Sequence, residues 1–112
     1  MSLIFASANP QLLLATFKQK IDHKHVITWL YDGDGDFTHN TDQWKNKAWL
    51  RPQILLRQLH LHIISPRNSK ISVEVYAIYH GRFIEAMLAH CDKLFSGASA
   101  SALPTQEDQI AA

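Results

Sequence analysis

Two histidines one residue apart, His60 and His62, form the spacing in this chain with the most chemistry to offer. Residues i and i+2 of a strand project from the same face, so the pair sets two imidazoles side by side. Two imidazoles and a carboxylate make a ligand set used by zinc or non-haem iron. One imidazole as base and one as acid is an arrangement that cleaves phosphodiesters. A polar sheet face with neither activity is a surface for a partner protein.

The residues around the pair predict a β-hairpin from Arg57 to Tyr79. Leu59, Leu61 and Ile63 alternate with Gln58, His60 and His62. Ile71, Val73, Val75, Ala77 and Tyr79 alternate with Ser72, Glu74, Tyr76 and Ile78, the period of a strand with one apolar face. Pro66, Asn68 and Ser69 provide turn chemistry between the two runs. With the apolar faces aligned, one register sets His62 opposite Glu74 and His60 opposite Tyr76. His60, His62, Glu74 and Tyr76 are therefore the candidate ligand- or partner-binding residues, with Trp29 or Trp49 nearby.

His-x-His is a spacing that ordinary solvated strands also produce, and no HExxH or cysteine pair accompanies it. No metal or other cofactor is assigned on it; His60, His62 and Glu74 are the side chains that would hold one. His23 and His25 form a second such pair. Asp32, Asp34 and Asp36 have the alternate spacing of a calcium loop. Phe37 and Gln43 stand where that loop needs Gly and Glu, and a strand precedes it, so a hairpin turn is the better reading. Tyr79-His80-Gly81-Arg82 opens the last predicted helix, where free N–H groups and Arg82 can meet an anion. Arg82 joins the candidate contacts, although an ordinary strand-to-helix turn, with Arg82 solvated or paired to Glu85 or Glu74, is the better reading, since every helix has such an N-terminus. Cys91 lies in an apolar stripe and reads as a buried thiol.

The elements that must carry these residues follow from pattern. Asn9 as N-cap and Pro10 at the first position start a helix bearing Leu13, Leu14, Phe17 and Ile21. Val26 to Tyr31 predicts a strand, Asp32 to Gly35 a turn, and Asp36 to His39 a return strand. Residues 42–50 predict a short helix, with a strand over Ala48 to Arg51 as the alternative and Pro52 ending either. A helix from about Gly81 to Phe95 carries Phe83, Ile84, Met87, Leu88, Cys91, Leu94 and Phe95. The expected fold is α+β, an antiparallel sheet of about four strands with N- and C-terminal helices packed on one face. Residues 1–96 form the single domain and 97–112, small and polar, a flexible C-terminal tail.

The chain has 112 residues, enough for one core without disulfides or metal. Eleven basic residues against ten acidic leave a formal charge of +1, which supplies no basic excess for nucleic acid and weakens a nuclease reading. One cysteine cannot form an internal disulfide. No run approaches the roughly 18 apolar residues of a membrane span, so a cytoplasmic protein without a membrane partner is expected. The leading expectation is a non-catalytic module that binds a protein partner, or itself as a homodimer, through the open sheet face or an edge strand. A small metal-binding protein or hydrolase using His60, His62 and Glu74 is the alternative.

Overall fold

The structure is a computed structural model and describes residues 2–109. Its elements are β1 (Leu3–Ala6), α1 (Pro10–Asp22), β2 (Trp29–Tyr31), β3 (Phe37–His39), β4 (Trp49–Leu55), β5 (Gln58–Ile64), α2 (Val73–Cys91) and β6 (Gly97–Ala100). The six strands form one open sheet in the order β2-β3-β4-β5-β1-β6, and every neighbouring pair is antiparallel. The α+β class and antiparallel sheet are as expected; six strands replace the four anticipated. Among the described residues no helix is long and apolar enough to cross a membrane.

α1 forms as its sequence dictates. The Asn9 Oδ1 accepts from the Leu12 N–H at 3.1 Å, Pro10 occupies the first turn, and Leu13, Phe17 and Ile21 are buried. The hairpin is different. Its first strand is correct as β5, but its partner is β4, not residues 71–79. Leu56 and Arg57 make the turn, with Arg57 at φ 58°. The stretch read as the second strand is the start of α2. Ser72 caps that helix, its hydroxyl accepting from the Val75 N–H at 3.1 Å. Val75, Tyr79 and Phe83 satisfy a period of four as well as a period of two, and the helical repeat continues unbroken through Met87 and Cys91. Ile71, Val73, Val75 and Ile78 favour strands locally; the cap and the continuous buried stripe outweigh them.

Residues 41–48 turn without forming a helix, and the alternative strand reading of this stretch is the one realised, from Trp49. The Tyr79 hydroxyl donates to the Trp44 carbonyl and the Thr38 hydroxyl to the Ala48 carbonyl at 3.0 Å, which pins the loop to the core. Pro52 does not end the strand. β3 pairs with β4 only at Leu50, so β4 becomes an edge beyond that point, where a residue lacking an N–H is tolerated.

β1 and β6 were not expected at all. Four residues each are too few for a periodicity, and Gly97-Ala98-Ser99-Ala100 has little strand propensity; pairing with β1 makes it a strand. The stretch expected to be a flexible tail thus begins as sheet. Asp108 then closes it down: its Oδ1 accepts from the Ile63 N–H at 2.8 Å and its Oδ2 from the Thr105 N–H at 2.6 Å. Gln109 pairs with β5 on the side that β1 leaves open past Leu61, donating to the Ile63 carbonyl at 2.8 Å. Residues 110–112 of the expected tail lie outside the described residues.

The core gathers around Phe83. Its ring lies 6.0 Å from Phe5, 5.1 Å from Phe17, 5.0 Å from Trp29 and 5.3 Å from Phe37, so one α2 residue touches β1, α1, β2 and β3. Leu3, Phe5, Leu50, Leu59, Leu61 and Ile63 complete the floor beneath it and are fully buried. Replacing Phe83 by Ala should lower stability by about 3–5 kcal/mol in a urea titration, the range for emptying an aromatic core site. Gly81, expected to open the helix, instead lies exposed inside α2, and a Cβ there would meet nothing within 4 Å. Gly81→Ala should therefore raise stability by about 0.5–1 kcal/mol in the same titration.

Candidate functional site on the outer sheet face and its edge

The alternation of β5 divides its side chains as expected. Leu59, Leu61 and Ile63 are buried while Gln58, His60, His62 and Ile64 are half-buried. The residues opposite them set the outer face. Arg51 and Gln53 of β4 face His62 and His60, and Ile4 of β1 lies against His60 on the other side.

His60 Nε2 sits 2.5 Å from Gln58 Oε1. The Nδ1 atoms of His60 and His62 are both buried and have no hydrogen-bond partner among the described residues. Burial holds both imidazoles below the usual histidine pKa, with Asp108 opposing the shift at His62. Arg51 is committed elsewhere. Its Nε and Nη2 reach the two oxygens of Asp36 at 2.9 and 2.7 Å, a bidentate pair on a carboxylate that is 4% exposed.

The expected four-residue cluster does not assemble. Glu74 is an exposed first-turn residue of α2, and Tyr76 is on the same helix, because the segment that carries them is not a strand. No carboxylate of α2 therefore faces His60 or His62 across a hairpin, and the ligand set and acid–base pair built on Glu74 lose their third member. Tyr76 instead stacks on His80 with ring centroids 3.9 Å apart and donates to the Ser101 carbonyl at 2.9 Å, which ties α2 to the chain just after β6. Arg82 is exposed, ten positions past the Ser72 cap, and reaches Glu85 at 3.3 Å. It is not at a helix N-terminus, so the candidate anion site has no helix end to stand on, and Arg82 pairs with Glu85, as the better reading has it. Trp29 is wholly buried; Trp49 is half-buried at the start of β4, paired with Ile64.

The acidic turn is a hairpin turn. Asp32 Oδ1 accepts from the N–H groups of Asp34 at 2.9 Å and Asp36 at 3.0 Å. The three carboxylates can approach within 4.8 Å of one another, but Asp36 is already neutralised by Arg51. Cys91 is buried, and burial pushes its thiol up, as a structural residue requires.

Two histidines that carry no signal in the sequence prove to be the most enclosed. His80 is 4% exposed; its Nδ1 donates to the Tyr76 carbonyl at 2.7 Å and its Nε2 accepts from the Ser2 hydroxyl at 2.7 Å. The atoms have the order of a nucleophile and its base, yet Ser2 is 1% exposed, so no substrate reaches it and the pair is a tether between α2 and the start of β1. His39 is 5% exposed with its Nδ1 held by the Thr28 carbonyl at 2.8 Å. Ser2 completes the enclosure of His80, and Thr28 and Trp29 flank His39, contacts that neither spacing nor composition points to.

The remaining feature is β6, the outer edge of the sheet beyond β1, whose four residues are all exposed. The geometry describes an α+β domain with an open antiparallel sheet, and comparison with known protein families, curated proteins and solved structures found no match to it.

Burial lowers the pKa of His39, His60, His62 and His80 in the folded chain. The unfolded chain then takes up protons first, near the ordinary histidine value of about 6.5. Stability is thus full above that pH and falls as pH drops below it. Thermal unfolding followed at pH 7.5, 6.5 and 5.5 should show a Tm that declines across this interval, and His80→Gln should flatten part of the slope.

Proposed function

We propose that this chain is a non-catalytic binding module whose partner is a second copy of itself, joined edge to edge through β6. The observation that carries the reading is the chemistry of that edge. Residues 96–102 include no charge and no proline, and all of β6 is exposed. Charges, proline, bulges or a covering element are the usual devices that stop edge strands from pairing. The opposite edge, β2, has three residues and runs directly into Asp32 and Asp34.

The ladder register gives the pairing groups. Ser101 N–H bonds the Ser2 carbonyl at 2.8 Å, so positions 97, 99 and 101 turn their backbone groups toward β1. By alternation, the N–H and C=O of Ala98 and Ala100 point outward. An antiparallel copy of the same strand meets these groups by a two-fold axis, with no like charges opposed. Four-residue pairing is small against the roughly 1,200 Å² low end of stable interfaces, so flanking apolar residues must contribute. Leu103 at 77% exposure and Val73 at 89% stand beside a groove lined by Ile71, Tyr76 and Pro104, just past the end of β6.

The wider reading is that both helices use the inner face. Its support is that Leu13 and Phe17 of α1 and Phe83 and Met87 of α2 share one buried cluster with Leu59, Leu61 and Ile63. The outer face, with His60, His62 and Gln53, then becomes one continuous surface across the joined sheets.

Size-exclusion with light scattering over a concentration series should show a mass rising toward twice the 12.8 kDa of one chain, with a dissociation constant on the order of micromolar. Ala98→Pro removes only an outward N–H and should leave the fold intact while shifting the chain to monomer. A monomer at millimolar concentration, or a dimer indifferent to Ala98→Pro and Ala100→Lys, would sink the proposal.

A further inference from the structure

A second place in the molecule has the makings of a ligand site, independent of the sheet edge. A cleft of about 450 Å³ opens where the loop after β3 faces the middle of α2. His39 lines it although the residue is 5% exposed. Its Nδ1 lies 2.8 Å from the Thr28 carbonyl, which can only accept, so the ring proton is on Nδ1. Trp29 lies against the imidazole with centroids 4.7 Å apart and fixes its plane. Burial lowers the His39 pKa, which favours the neutral ring. Its Nε2 thus offers a lone pair, and none of the described residues supplies it with a donor.

Thr41, on the same wall, has a hydroxyl oxygen that is enclosed and, among the described residues, without a hydrogen-bond partner, so it is not open to a ligand in the cleft. The rim carries Asp42 and Glu85 against Arg82, a net charge of one negative, and Arg82 is already drawn to Glu85 at 3.3 Å. Trp44 supplies an aromatic wall. The groups left open to the cleft are therefore the His39 lone pair and the Asp42 carboxylate.

We propose that this cleft binds a small organic cation bearing a primary ammonium group. An ammonium is a three-fold donor with no acceptor, which matches the acceptors at His39 and Asp42. Its charge offsets the net negative rim. An anion of the same size meets a lone pair and an unneutralised carboxylate. The volume lies in the range of roughly 300–1,000 Å³ typical of small-molecule sites.

The test is a titration of isotope-labelled full chain by NMR with 1,4-diaminobutane, 1,4-butanediol and succinate. The diamine should shift the His39, Thr41 and Trp44 resonances with a dissociation constant of about a millimolar or tighter. The diol should bind at least about tenfold more weakly, and succinate should leave these resonances in place. His39→Phe removes the acceptor and should abolish the shifts. Asp42→Asn, on an exposed loop where folding is not at risk, should weaken diamine binding about two- to fivefold. Absence of shifts with the diamine overturns the proposal, as does equal or tighter binding of the diol or succinate, or unchanged affinity in the Asp42→Asn chain.

Discussion

The packing of Phe83 against four other aromatic rings is the contact on which the architecture depends. Phe5, Phe17, Trp29 and Phe37 come from β1, α1, β2 and β3, and they share no neighbour in sequence. Edge-on ring geometry, with interplanar angles between 57° and 86°, fixes their relative orientation as well as their distance. Tyr79, one turn earlier on α2, extends the same contact to Trp29 and to the loop after β3. Through these two residues α2 sets the height of the sheet floor and the position of the loop that walls the His39 cleft.

That core makes demands on the chain's ends. β1 is central in the sheet, between β5 and β6, although it begins at the third residue. A strand inside a sheet needs both neighbours. β5 supplies one, and a stretch of Gly, Ala and Ser with no intrinsic wish to be a strand supplies the other as β6. His80 to Ser2, Tyr76 to Ser101 and Asp108 to Ile63 are the polar tethers that hold this arrangement. Each joins segments at least 25 residues apart. The same design leaves an uncharged edge at β6, and that edge is the basis of the self-pairing reading.

The histidines illustrate how burial separates residues of one type. His60 and His62 alternate on a strand and so advertise themselves, yet the carboxylate that would have made them a catalytic or metal set is on a helix elsewhere. His39 and His80 stand alone in sequence, and packing encloses both. His80 is fully satisfied and reads as structure. His39 keeps one nitrogen without a donor, at a cleft, and reads as a binding group. The difference is one hydrogen bond, which no periodicity reports.

What could be read from residues alone was whatever rests on local repeats and caps. Asn9-Pro10 and the stripe Leu13, Phe17, Ile21 specified α1, and the alternation of β5 specified which of its side chains are inside. The acidic turn was legible because Asp and Gly act on their own backbone within five residues. Residues 71–79 were not, because Val75 and Tyr79 obey both periods, and only the Ser72 cap with Phe83's distant partners separates helix from strand. β1, β6 and the partner of β5 were decided by pairing between segments far apart in the chain. Backbone hydrogen bonds of that kind are satisfied by whichever segment the core brings alongside, whatever its own propensity.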